Sequence, residues 1–240
     1  MNYKKSILLI VASIVLATAF SQKVYLIPAL HNLHKTNQQY TYDHLKAIVQ
    51  KIKPDVIAVE MRREDVASDT SYLKKNYPYE MWMMRYWFPK TTIEGFDWLG
   101  ADLEGKTIPD RYWENQSQIK ALQRKLNADS IYTRKLKACD VYTNERMKTL
   151  QSSSLKGILQ SNESIFIKEY YNCLNLQLQN SDYEELPKFY DLRNQKMQER
   201  LSELVNRYAG QTIVVITGAD HYPYLFEYLR KQKVSVLQPV

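Results

Sequence analysis

VYLIPALHNLHKTNQQYTYDHLKAIVQKIKPDVIAVE, residues 24–60, holds two apolar runs with one helical pattern between them. The first run, Val24–Pro28, is short, continuously apolar and closed by a proline, which is the pattern of a buried strand. After a polar loop, Leu45, Ile48, Val49 and Ile52 recur at helical spacing between Tyr42 and Lys53, and Pro54 ends the helix. Asp55–Glu60 is a second continuous apolar run, hence a second buried strand. Strand, helix and strand in this order make a βαβ unit, with a right-handed crossover and parallel strands.

The carboxyl-terminal end has the same grammar. A helix over about Glu184–Tyr208 leads to a strand at Thr212–Thr217, a loop containing Gly218, a helix over Tyr222–Lys231 and a strand at Val234–Leu237. Between the two units the pattern is mostly helical, over Gln116–Leu150 and Leu155–Leu178, with Ser152-Ser153-Ser154 as a loop. The segment IEGFDWLGADLEG, residues 93–105, adds a strand near Phe96–Ala101. Just before it, YPYEMWMMRYWF, residues 77–88, reads as the buried face of a helix rather than a ligand clamp. The expected fold is α/β, a mostly parallel sheet built from two βαβ units in one domain over residues 22–240, with a helical insertion at about 105–183.

Lys4 and Lys5 precede an uncharged apolar run from Ile7 to Phe20, which reads as a secretory signal peptide over residues 1–21. A cut before Gln22 puts the small residues Ala19 and Ser21 at the recognition positions. The run is shorter than the ~20 residues of a membrane-spanning helix, and no nearby cysteine offers a lipid anchor. The chain is therefore expected to be exported, periplasmic or secreted, and to meet a membrane only through its transient leader. Its formal charge of +7 becomes +5 without Lys4 and Lys5. The remaining basic residues alternate with acidic ones instead of clustering, which argues against a nucleic-acid partner. Cys139 and Cys173 are the two cysteines. Export allows them to pair, and with no CxxC spacing and no neighbouring histidine they make neither a thiolate cage nor a redox motif.

Ligands of a parallel sheet bind beyond the carboxyl ends of its strands. Three reactive side chains fall there: His31 three residues past the first strand, Glu60 closing the second, and His221 four residues past the late strand. Two imidazoles and a carboxylate suit either a divalent metal or a general base with its orienting acid. The plainer alternatives are a surface histidine and a strand-end glutamate paired with Arg62 or Arg63. His34 reads as a solvent-exposed neighbour and His44 as a surface residue of the first helix. Asp220 is placed to orient an imidazole, although adjacent loop side chains usually diverge. Asp102 and Glu104 follow the expected third strand, where Asp102 is either a fourth rim group or a turn residue before Gly105. The GxSxG elbow, P-loop, HExxH and paired CxxC patterns are absent.

The opening run VYLIPALHNLHKTNQQYTYDHLKAIVQKIKPDVIAVEMRRED resembles the start of the TraB, Tiki and erythromycin-esterase-like superfamily, in which a strand leads to a GxxH motif and the next ends in an Ala-Val-Glu sequence. VVITGADHYPYLFEYL is similar to its second GxxH motif, here Gly218-Ala219-Asp220-His221, and DLRNQKMQERL to its Glu-Arg-Asn/Asp-x-x-Met helix, through Arg193, Asn194 and Met197. Together these cover about 100 residues at the two ends. The resemblance implies a hydrolase-like site, a peptidase or esterase, with His31, Glu60, His221 and Arg193 as catalytic residues. His31, Glu60 and His221 are the ligands in metal-dependent members, and other members need no metal. Its leading alternative is a non-catalytic haem- or metal-binding protein of the ChaN-like kind, and a third reading is an interaction protein whose rim has decayed. Pro28 stands in place of the first motif's glycine and Leu192 in place of the helix's glutamate.

Overall fold

Three apolar runs, at 23–29, 56–59 and 212–218, become neighbouring parallel strands because each is buried on both faces. The computed structural model describes residues 22–232 and 234–239; the expected leader, 1–21, lies outside them. The strands are β1 (Lys23–Ala29), β2 (Val56–Val59), β3 (Thr92–Gly95), β4 (Thr212–Gly218) and β5 (Ser235–Leu237). They form one parallel sheet in the order β3-β2-β4-β1-β5.

The chain ends interlock more than two separate βαβ units require. β4 lies between β1 and β2, and β1 lies between β4 and β5, so the strands of each expected unit share the sheet without bonding to each other. β4 is the apolar run buried throughout its interior, and the centre of the sheet is where such a strand belongs. The third strand sits upstream of the expected Phe96–Ala101, because as an edge strand it needs no continuous apolar run and carries Thr92 and Glu94.

Strand residues alternate between the two faces. Ile27, Ile57, Val59, Val214 and Ile216 pack on α1 (Tyr42–Ile52), α2 (Thr70–Asn76) and α3 (Tyr79–Trp87). Val24, Leu26, Val56, Ala58, Ile213 and Val215 pack on the other side, on the last two helices of the chain. The dense aromatic run does form a buried face in α3, through Met81, Trp82 and Met84, while Tyr79 and Tyr86 reach solvent. At the start of α1, Thr41 and His44 make a reciprocal capping box, with His44 in the position usually held by Glu or Gln. His44 is exposed, as expected.

Between β3 and the long helix come α4 (Tyr112–Asn115), α5 (Gln118–Ala128), α6 (Ser130–Leu136), α7 (Asp140–Ser152), α8 (Leu155–Gln160) and α9 (Glu163–Leu178). The stretch expected to run helically from Gln116 to Leu150 is broken at Asp129, whose carboxylate caps α6, and again at a 3-10 turn over Lys137–Cys139. A Cys139–Cys173 disulfide joins that turn to α9, with Cα atoms 5.7 Å apart. The chain closes with α10 (Glu185–Arg207), β4, α11 (Tyr222–Arg230) and β5. Among the described residues no helix is long and apolar enough to cross a membrane.

Candidate active site at the carboxyl edge of the sheet

The strand order has a direct consequence: β1, β4 and β2 end side by side, so the residues that follow them meet. Immediately after β1 the chain turns into a 3-10 helix at His31, whose φ of 52° is uncommon for a residue with a side chain. Its carbonyl accepts the Tyr42 hydroxyl at 2.9 Å, and its Nδ1 lies 2.7 Å from Glu80 Oε1. Glu80 belongs to α3 and is fully buried; its Oε2 has no partner. Burial lowers the His31 pKa, but the hydrogen bond and charge of Glu80 outweigh it, and the net shift is upward.

Glu60, just past β2, is held from three sides. Oε2 accepts the Thr217 hydroxyl at 2.8 Å and the Gly218 N–H at 2.6 Å, and Oε1 accepts Arg193 Nη2 at 2.9 Å. Burial alone would raise its pKa, yet His221, Arg193, His31 and the Gly218 N–H together hold it down at about 2. Arg193, from α10, also grips Asp97 through two bonds of 2.9 Å, a fork matched to a carboxylate. Its Nη1 bonds to nothing among the described residues.

His221, at the N-terminal edge of α11, is buried. Its Nδ1 lies 2.7 Å from Asn194 Oδ1, its ring stacks on Tyr190, and its Nε2 lies 3.7 Å from Glu60 Oε1. With the proton on Nδ1 facing Asn194, Nε2 keeps its lone pair. Burial lowers its pKa, against the opposing charge of Glu60.

Gly218 is where these groups converge. A Cβ there would lie 2.7 Å from His31 Nε2 and 3.4 Å from Glu60 Oε2, so only a glycine lets ring and carboxylate close over the strand end. Beyond it opens a cavity of about 390 Å³, lined among others by His31, Glu60, Arg146, Arg193 and His221. His31 also borders an outer groove of about 880 Å³ walled by Lys74, Tyr79 and Trp82.

The sequence thus brings His31, Glu60, His221 and Arg193 into one place, and several finer expectations need correction. Glu60 pairs with Arg193, not with Arg62 or Arg63, which turn to Asp65 and Glu203. His34 is buried, not solvent-exposed: its Nε2 accepts the Leu30 N–H and its Nδ1 lies 2.6 Å from Tyr40 O, so it pins the loop that presents His31. Asp220 pairs with Arg146, diverging from the neighbouring imidazole as adjacent loop side chains usually do. Asp102 accepts the Tyr112 hydroxyl and Glu104 pairs with Arg200, and neither lines the cavity. Leu192 is exposed, so that position of α10 faces away from the site. Pro28 lies where β1 has already lost β5, which pairs only with Lys23–Tyr25.

Four participants escaped the sequence reading. Glu80 is hidden in the aromatic run, Asp97 follows a strand expected elsewhere, and Arg146 comes from the helical segment. Asn194 had the one available signal, as the residue beside Arg193 in the matching helix.

The donor set does not suit a divalent cation as it stands. Among the described residues no group of three or more His, Cys, Asp or Glu side chains is arranged to hold one. Both Glu60 oxygens are engaged, one of them by a guanidinium whose charge opposes a second cation. Compared with protein-family models, curated proteins and solved structures, the chain matches none.

Proposed function

We propose that this chain is an exported hydrolase that cuts an ester or amide bond by acid–base chemistry of its own side chains. The observation that carries this reading is the meeting of His31 Nε2 and Glu60 over Gly218, beside a cavity that His221 and Arg193 share. A general base needs an unpartnered lone pair within reach of water and substrate. His31 Nε2 has no protein partner among the described residues, and the ring is 39% exposed. In this scheme a water against Nε2 gives up its proton as its oxygen attacks the carbonyl carbon, and the imidazolium returns that proton to the leaving group. Arg193 Nη1 is the donor available to the oxygen that gains negative charge. Glu60, bonded to Arg193, Thr217 and Gly218, fixes Arg193 and the end of β4 in place.

The mixed lining, with Glu60, Arg146, Arg193 and Asp220 set among apolar side chains, supports a polar reaction over the holding of a flat apolar porphyrin. The Cys139–Cys173 bond supports an oxidising compartment, hence export.

The test is turnover of a panel of p-nitrophenyl esters and peptide anilides by the mature protein, with metal content and visible absorbance measured on the same sample. Turnover that survives chelation and falls at least about a hundredfold in His31→Ala is the expected result. No turnover, turnover abolished by a chelator, or a Soret band would overturn the proposal.

A further inference from the structure

We propose that Glu80 is a positioning residue of this site: it holds His31 by Nδ1 and so aims Nε2 at the cavity. Its part in turnover rests on the hydrolase reading; its hold on the ring does not.

Glu80 sits fully buried in the first turn of α3, just ahead of Met81, Trp82 and Met84, which make that helix's apolar face. A buried carboxyl is costly unless its oxygens are bonded, and cores normally neutralise one with arginine or lysine. Among the described residues Glu80 has neither. Its one partner is His31 Nδ1 at 2.7 Å, and Oε2 is left bare. Methionine, which flanks the position at 81, 83 and 84, would pack there at less cost. An acid suits the first turn of a helix, but burying it there without a cation is a cost that packing does not explain, and the partner it meets is His31.

Glu60, which the resemblance puts in the acidic role, accepts from Arg193, Thr217 and Gly218 and makes no hydrogen bond to His31 among the described residues. Many charged groups face His31: Glu60 past β2, Asp220 and His221 past β4, Arg193 of α10, Arg146 of α7, Lys74 and Lys75 of α2, and His34 on its own turn. Among the described residues, only Glu80 bonds to a ring nitrogen of His31. With Nδ1–H donating to Glu80 Oε1, the lone pair is left on Nε2. When Nε2 takes a proton, the carboxylate offsets the charge of the imidazolium, a division of labour that carboxylate–histidine pairs use in acyl transfer.

The experiment reads the full mature chain by NMR at fixed pH, in the absence of substrate. A His31 Nδ1 proton in a carboxylate hydrogen bond gives a downfield signal, expected in the wild type and lost in both His31→Ala and Glu80→Gln. On any ester the wild type turns over, Glu80→Gln should lower kcat about a hundredfold with KM nearly unchanged. The double variant should be no slower than His31→Ala, because the two residues act as one unit. Glu80→Asp should restore part of the rate. Absence of the downfield signal in the wild type overturns the proposal even if Glu80→Gln does not fold. So does a Glu80→Gln protein that keeps the signal or the wild-type kcat. A chain with the signal and no hydrolytic activity would sink the hydrolase reading while leaving Glu80's hold on His31 standing.

Discussion

Arg146 Nη2 donates to Asp220 Oδ1 at 2.6 Å, and this contact ties the helical segment between β3 and α10 to the loop that carries His221. The same guanidinium bonds to Glu163 through Nε at 2.8 Å. Arg146 and Glu163 are almost fully buried, whereas the Asp220 side chain is 48% exposed. The two halves of the network should therefore respond differently. Arg146→Met strands a buried acid and is expected to cost about 3 kcal/mol in urea unfolding. Asp220→Asn should cost less than about 1 kcal/mol, because solvent already screens that partner. Equal losses would contradict this division.

Glu60 makes stability fall in acid. Its folded pKa of about 2 lies below the ordinary 4.5, so its contribution is complete above 4.5 and is lost as pH falls towards 2. Glu60→Gln should lower stability at neutral pH and flatten the curve of unfolding free energy between pH 4.5 and 2. Denaturant titrations at several acid pH values measure the slope. A variant with the wild-type slope would show that other carboxylates set it.

Gly218→Ala puts a methyl carbon 2.7 Å from His31 Nε2. The ring cannot swing freely, since Nδ1 is bonded to Glu80 and the His31 backbone to Tyr42. Expected are a stability loss of about 1–3 kcal/mol and a shifted or broadened His31 Nδ1 proton signal, with the His34 ring unmoved. Thermal melting and one-dimensional proton NMR check both.

The disulfide closes a loop across a sequence separation of 34 residues. Chain entropy assigns such a link about 3–4 kcal/mol. Cys139→Ser with Cys173→Ser should lower the urea midpoint accordingly. The loss should localise to α6–α9, leaving amide exchange in β1, β2 and β4 slow. Uniformly accelerated exchange would mean that the helical segment and the sheet unfold as one.

How far the sequence could be read follows from what each residue's partners are. β1, β2 and β4 were legible because burial on both faces demands an unbroken apolar run. His31, Glu60 and His221 were legible because strand ends share an edge. Sheet order was not, since nothing local to Val56 or Val24 states that Val214 will come between their strands. β3 was misplaced because an edge strand tolerates Glu94. Glu80, Asp97 and Arg146 were invisible for one reason: each takes its meaning from a partner distant in sequence, His31, Arg193 and Asp220, and looks ordinary among its own neighbours. His34 misled in the reverse sense, its polar surroundings concealing that both ring nitrogens satisfy backbone groups.

The interlocked sheet has an implication for biogenesis. β1 and β2 have no hydrogen bonds to each other and are joined only through β4, which follows β2 by about 150 residues of sequence. Until β4 arrives their edges are open and sticky, the condition in which nascent proteins depend on chaperones. His31 and His221 likewise come together only once β4 is seated between β1 and β2.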